Sequence, residues 1–153
     1  MITATHLHAM AVHFPIALLM AGFLSEILSL ITKKKFFADA AFYLLMLGTI
    51  GATIAYFAGR SAGEGMEEGE LAKAMELHEQ AANIAFILTL VTAGFYLLQY
   101  FKKLSQGWLK YVATLLFAIT VGAIARTAYL GGELVYKHGA GVEIGLPDFS
   151  KPE

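Results

Sequence analysis

The chain has 153 residues, of which 58% are hydrophobic and only 15% are charged, and its mean hydropathy is +0.63. Soluble domains contain about 45–50% apolar and about 25% charged residues, so this composition favours a membrane protein. Cysteine is absent, which excludes disulfides, iron–sulfur clusters, thiolate zinc sites and covalently attached c-type haem. The net charge of −1 gives no electrostatic reason to expect a nucleic-acid partner.

Four long apolar blocks follow one another along the chain. Each has about 20 residues, which is the length that crosses the hydrocarbon core of a bilayer as an α-helix. The sequence therefore predicts an all-α fold, an integral membrane four-helix bundle that forms a single transmembrane domain over residues 1–153. The predicted spans lie at about 11–31, 38–58, 81–101 and 108–130.

The connections between these blocks predict the topology. Residues 32–35 and 102–107 are short connections that contain lysines, so we expect antiparallel neighbours in an up-down-up-down arrangement. Residues 59–77 are longer and acidic, which predicts an outer loop whose second half forms a surface helix. Residues 139–153 are rich in glycine and proline and predict an extended tail.

The lysines predict the orientation in the membrane. Positive charge in short loops marks the cytoplasmic side, and one side of the predicted bundle carries most of it. The lysines on that side are Lys33, Lys34, Lys35, Lys102, Lys103 and Lys110. We therefore expect a multi-pass protein of the bacterial inner membrane, with the acidic loop and both termini on the non-cytoplasmic, periplasmic side.

All five histidines fall on the side opposite to the lysines. His6, His8 and His13 precede or open the first span, His78 precedes the third, and His138 follows the fourth. Imidazole binds haem iron, copper and zinc, and facing helices of a bundle often carry such sites. His8, His13, His78 and His138 are therefore the candidate ligands of a haem or of a Cu or Zn ion. A histidine at a membrane interface can also serve only as an amphipathic side chain, which we expect for His6 in an N-terminal tail.

Three further charged residues lie in or beside the spans. Glu26 is near the lysine side of the first span, so we expect it to reach the interface or Lys33. Arg126 leans into the membrane, because helical side chains tilt toward the helix N-terminus. We expect Arg126 to face the bundle interior with an anionic partner: Glu133, a haem propionate, a quinone oxygen or a lipid phosphate. Arg60, at the outer end of the second span, is placed to meet a propionate or a headgroup.

Three segments resemble a known family. They are HLHAMAVHFPIALL at 6–19, HEQAA at 78–82 and LGGELVYKHGAGV at 130–142. Together they resemble the bacterial four-helix membrane family called domain of unknown function 2231, over essentially the whole chain. That family usually has proline after each of the first two histidines, where this chain has Leu7 and Ala9. Relatives joined to Rieske-type or cytochrome-like domains imply redox partners, so the resemblance favours haem without assigning an activity.

The sequence thus predicts a membrane electron-transfer subunit. One or two b-type haems would lie at the outer end between pairs of the four candidate histidines, with Arg126 or Arg60 neutralising propionates. Electrons would pass between a quinone or another membrane subunit and a periplasmic redox partner. The alternative is a structural or Cu/Zn-binding subunit of a larger membrane complex. No nucleophile–base pair can be named, so a redox carrier is favoured over a stand-alone enzyme.

Overall fold

The computed structural model describes residues 3–63, 69–102 and 107–142. Its helices are α1 (Ala4–Ala11), α2 (His13–Thr32), α3 (Lys35–Gly63), α4 (Gly69–Lys102) and α5 (Trp108–His138). Helices α1 and α2 are separated by Val12 alone and form one span, Ala4–Thr32. The four resulting spans of 29 to 34 residues are each long and apolar enough to cross a bilayer. The predicted all-α, four-helix membrane bundle is therefore confirmed.

The first span begins earlier than the hydrophobic pattern predicts. Its N-cap is Thr3, whose side chain accepts a hydrogen bond from the His6 backbone nitrogen at 3.2 Å, and this satisfies one of the free N–H groups of the first turn. Pro15 lies in the first turn of α2 and has no N–H, so the helical hydrogen bonds are interrupted where α1 meets α2. His6 is therefore on a helix, and the expectation of an N-terminal tail there is wrong.

The region predicted to be an acidic outer loop is largely helical. Helix α3 continues to Gly63 and α4 begins at Gly69, while residues 64–68 lie outside the described residues. The predicted surface helix is the first part of α4 itself. Glutamate, alanine, leucine and methionine favour helix, and a helix that leaves the bilayer is not limited to apolar residues. The span length read from hydrophobicity therefore underestimates the helix length.

Left-handed residues end two of the helices. At the end of α2, Lys33 has φ 56° and its N–H binds the Ser29 carbonyl. At the end of α5, Gly139 has φ 67°, which glycine adopts without the steric cost that a Cβ brings. Of the predicted tail, residues 143–153 lie outside the described part of the chain.

The helices pack in a ring. Helix α2 packs most extensively on α3, and α4 on α5, while contacts of α3 with α4 and of α2 with α5 close the bundle. Helix α1 packs mainly on α3. We call the end formed by α1, the start of α4 and the ends of α3 and α5 the histidine end. The opposite end, with Lys33–Lys35, Lys102 and Lys110, is the lysine end.

An apolar core separates the two ends. Leu19, Leu45 and Phe117 are fully buried at its centre, and Phe117 makes an edge-to-face contact with Tyr96 at 5.8 Å. Gly48 lets α3 approach α2 here, because a Cβ on Gly48 would lie 2.8 Å from the Leu19 side chain. The core therefore isolates the polar side chains of the histidine end from those of the lysine end.

Candidate functional site

Two histidines that are far apart in sequence meet at the histidine end. His8 comes from α1 and His78 from α4, and both are half-buried. Their ring centres are 6.3 Å apart, and the ring planes make an angle of 82°. The structure thus brings together two of the four predicted ligands.

Both imidazoles are held by a backbone carbonyl of a neighbouring helix. The His8 Nδ1 lies 2.8 Å from the Ala55 oxygen, and the His78 Nδ1 lies 3.1 Å from the Thr127 oxygen. Because a carbonyl oxygen only accepts hydrogen bonds, Nδ1 must be the donor and carries the ring proton. In a neutral imidazole, Nε2 then has a free lone pair. Histidines that bind metals in proteins are almost always oriented in this way.

A glycine next to each carbonyl makes room for the imidazole. A Cβ on Gly59 would lie 2.8 Å from Cε1 and 2.9 Å from Nδ1 of His8, and a Cβ on Gly131 would lie 3.2 Å from Cε1 of His78. Ala55 and Gly59 are four residues apart in α3, as Thr127 and Gly131 are in α5. The helical carbonyl of residue i meets the N–H of residue i+4, so a glycine at i+4 opens that carbonyl to the ring.

These carbonyl and glycine pairs were not predicted from the sequence. Neither Gly59 nor Gly131 is among the candidate site residues named from the sequence. The sequence does contain a pattern that could have indicated these positions. In α3, which contacts His8, and in α5, which contacts His78, a small residue is followed four positions later by glycine. That pattern becomes recognisable only when the helices that face His8 and His78 are known.

The separation of the rings suits two ligands of one metal. A metal–nitrogen bond is about 2.0–2.1 Å long, and the imidazole centre lies about 1 Å behind its nitrogen. Two imidazoles on opposite sides of one ion therefore have centres about 6 Å apart by this bond length, close to the observed 6.3 Å. The separation of the ring centres therefore permits both histidines to bind one metal.

Aromatic and amide side chains pack together on the membrane side of His78. The Tyr56 hydroxyl donates to Oδ1 of Asn83 at 2.6 Å, and its ring stacks on Phe86 with centres 4.3 Å apart. Phe57 makes an edge contact with the same two rings. This layer joins α3 to α4.

The other predicted ligands lie apart from this pair. His13 and His138 are both exposed, and neither makes a hydrogen bond or a ring contact within the described residues. His6 is exposed and its ring bonds to the Thr3 hydroxyl at 3.0 Å. Among residues 3–63, 69–102 and 107–142, no group of three or more His, Asp or Glu side chains could hold a metal ion.

The two arginines lie beside residues that hold the histidines. Arg60 follows Gly59, and Arg126 precedes Thr127; both side chains are exposed. The prediction that Arg126 faces the bundle interior is wrong. The inward positions of this part of α5 are Ile124, Thr127, Gly131 and Leu134. Successive helical residues are rotated by about 100° about the helix axis. Arg126, one residue before the inward-facing Thr127, therefore lies on the outer surface of the bundle.

The fold and the site define a four-helix membrane protein with a pair of oriented histidines at one end. The model of the family named domain of unknown function 2231, described as predicted membrane proteins, matches residues 4–144. This match includes every described helix, so the chain belongs to that family, as its three sequence segments predicted. Neither the curated proteins nor the solved structures gave a match.

Proposed function

We propose that this protein binds a b-type haem through His8 and His78 and serves as an electron-transfer subunit in the membrane. The observation that carries this proposal is the histidine pair itself. Two imidazoles from separate helices each bond through Nδ1 to a backbone carbonyl, and their ring centres are 6.3 Å apart. Two neutral rings with free Nε2 lone pairs would supply the two protein ligands of a haem iron.

The number of protein ligands favours haem over a simple metal ion. Structural zinc sites have four protein ligands, and catalytic zinc sites have three. The part of the chain that the structure describes offers His8 and His78 without a third histidine or carboxylate in range. A porphyrin supplies four nitrogens of its own, so two histidines are enough to complete six-coordinate iron.

The surrounding residues have separable roles in this proposal. Bound haem would supply a one-electron redox couple. His8 and His78 would hold the iron, and the Ala55 and Thr127 carbonyls fix which nitrogen of each ring is free. Arg60 follows Gly59, which adjoins the His8 ring, and its cationic group would neutralise a propionate.

We also propose an orientation and partners for the subunit. The lysines at one end favour the cytoplasmic side for that end, so the histidine pair would lie near the periplasmic surface of a bacterial inner membrane. A cofactor there is placed to exchange electrons with a quinone, another membrane subunit or a periplasmic redox protein. Helical surfaces that are largely exposed in the single chain are available for lipid and for such subunits.

The absorption spectrum of the purified protein tests the haem proposal. We expect a reducible haem spectrum in protein produced with an adequate haem supply. His8→Ala and His78→Ala should each lose most of the bound haem, because each removes one axial ligand. His13→Ala and His138→Ala are matched controls at the same end, and both should retain wild-type occupancy because their rings are exposed.

Three results would contradict the proposal. A colourless wild-type protein would exclude haem, and elemental analysis would then distinguish a copper- or zinc-binding subunit from a purely structural one. Wild-type spectra in both His8→Ala and His78→Ala would exclude the proposed pair. Loss of haem in His13→Ala or His138→Ala, with retention in the other two variants, would assign the iron to different ligands.

A further inference from the structure

A buried carboxyl group lies in the lysine half of the bundle, away from the histidine pair. Glu26 in α2 is only 4% exposed, and its Oε1 accepts a hydrogen bond from the Thr114 hydroxyl of α5 at 2.8 Å. The expectation that Glu26 reaches the interface or Lys33 is wrong. Side chains lean toward the N-terminus of their helix, and in α2 that direction leads away from Lys33 into the bundle.

Three helices place polar side chains around this carboxyl. Helix α5 contributes Thr114 and Lys110, and the Lys110 amino group donates to the buried Ser29 hydroxyl of α2 at 3.3 Å. Helix α4 contributes Tyr96, whose ring is 8% exposed. Its hydroxyl lies beside Glu26 and Thr114. Glu26, Ser29, Tyr96, Lys110 and Thr114 are named here the Glu26 cluster.

The Tyr96 hydroxyl is the unsatisfied group of the cluster. It is buried and makes no hydrogen bond within the described residues, although an unpaired buried polar atom costs about 1–3 kcal/mol. An ionised Glu26 could accept from this hydroxyl, and a protonated Glu26 could donate to it. The unused hydroxyl therefore offers a hydrogen-bond partner to both protonation states of the carboxyl.

Within residues 3–63, 69–102 and 107–142, Glu26 has no ion-pair partner. The ion pairs among the described residues are Lys35–Asp39, Lys73–Glu70 and Lys137–Glu133. Lys110 points to Ser29, and the charged residues at this end of α3, Lys35 and Asp39, pair with each other at the surface. An uncompensated carboxylate inside a membrane protein is costly, and binding a proton removes that cost.

We propose that the Glu26 cluster is an intramembrane proton-binding site that exchanges protons with the lysine end. A proton from the aqueous side at that end adds to the Glu26 carboxylate, and the neutral acid donates its hydrogen bond to the Tyr96 oxygen. Release returns the proton to the same side, and Tyr96 and Thr114 then both donate to the carboxylate. Lys110 and Ser29 lie between Glu26 and the lysine end and provide the polar route.

Infrared difference spectroscopy of the whole chain in lipid nanodiscs tests this proposal. Acidification from about pH 10 to about pH 4 covers the ordinary range of carboxyl titration and beyond. We expect a protonated-carboxyl C=O band that grows with acidification and shifts in D2O. The exposed carboxylates also contribute to this band, so the contribution of Glu26 is the difference between wild type and Glu26→Gln; the near-isosteric amide keeps an oxygen that can accept from Thr114. Asp39→Asn is the matched control, since it removes an exposed carboxylate at the same end and should retain the contribution of Glu26.

Tyr96→Phe provides a second, independent test in a background that keeps Glu26. Removal of the hydroxyl alone should move the frequency of the Glu26 band, because the neutral acid loses its hydrogen-bond acceptor. Identical pH-dependent spectra for wild type and Glu26→Gln would overturn the proposal. An unchanged frequency in Tyr96→Phe would exclude Tyr96 from the site. None of these outcomes depends on haem, because the core separates this cluster from the histidine pair.

Discussion

The glycines beside the two histidines show how single residues decide whether a site can form. Gly59 and Gly131 lie on the helices that contact His8 and His78. A Cβ at either glycine would come so close to the imidazole that the ring would have to move. Because each imidazole reaches a main-chain carbonyl rather than a side chain, its position depends on how closely two backbones approach. Glycine has no Cβ and permits that approach.

Gly59→Ala adds only one methyl group, but we expect it to disturb the position of the His8 ring. The new Cβ would lie under 3 Å from the His8 ring, so the ring must move and its bond to the Ala55 carbonyl must weaken. We expect a severalfold lower haem occupancy and a loss of about 1–3 kcal/mol in stability from overpacking. Occupancy is read from the Soret absorbance per protein, and stability from thermal unfolding in detergent.

Gly132→Ala is the control for this substitution. A Cβ at Gly132 meets no atom within 4 Å, and alanine is favoured over glycine in a helix by about 0.5–1 kcal/mol. We expect unchanged occupancy and equal or higher stability. Equal occupancy in the Gly59 and Gly132 variants would show that His8 tolerates displacement and would contradict the assigned role of Gly59.

At the scale of the elements, buried threonines join α4 to α5. The Thr92 and Thr120 hydroxyls are 2.8 Å apart and fully buried. Thr120 also donates toward the Leu88 carbonyl of α4 at 3.3 Å and the Leu116 carbonyl of its own helix at 2.9 Å. Hydrogen bonds between membrane helices are worth about 0.6 kcal/mol on average and up to about 1.7 kcal/mol. This contact therefore specifies the register of the two helices more than it stabilises them.

Thr120→Val should lower the free energy of unfolding by about 0.6–1.7 kcal/mol, since valine keeps the shape but removes the hydroxyl. Thr53→Val is the control, because the Thr53 hydroxyl bonds only to Thr49 of its own helix; we expect a smaller loss. The double variant Thr92→Val with Thr120→Val should cost less than the sum of the single variants. Additive losses, measured by thermal unfolding in one detergent, would contradict a direct bond between the two hydroxyls.

At the scale of the whole molecule, the two ends differ in chemistry. The lysine end carries Lys33–Lys35, Lys102 and Lys110, and the histidine end carries all the histidines. This asymmetry predicts one orientation in the membrane, with the lysines in the cytoplasm. The proposed periplasmic redox partners depend on this orientation.

Single-cysteine labelling can measure the orientation of the protein in the membrane. The chain has no cysteine, so no native thiol has to be removed first. Lys34→Cys and Lys73→Cys both place the thiol on an exposed side chain, one at each end. A membrane-impermeant maleimide added to spheroplasts should label Lys73→Cys and reach Lys34→Cys only after lysis. The reverse pattern would place the histidine end in the cytoplasm and exclude periplasmic partners.

The fold was predictable from sequence because a membrane span is recognised from local composition. About 20 apolar residues in a row must cross the bilayer as a helix, since no water satisfies their backbone. The helix ends outside the bilayer were less predictable. Residues 4–10 and 69–77 are helical although hydrophobicity gives no signal there. Helix α1, which carries His8, is therefore not predicted from the apolar blocks.

The sequence by itself determined how far along the bundle each residue lies, because every helical residue adds about 1.5 Å along the axis and consecutive spans alternate in direction. This placed the histidines at one end and Glu26 near the other. Only the tertiary structure decided which way each side chain points, because rotation about the helix axis depends on packing against neighbouring helices. Packing pairs His8 with His78, leaves His13, His138 and Arg126 at the surface, and turns Glu26 inward toward Tyr96 and Thr114.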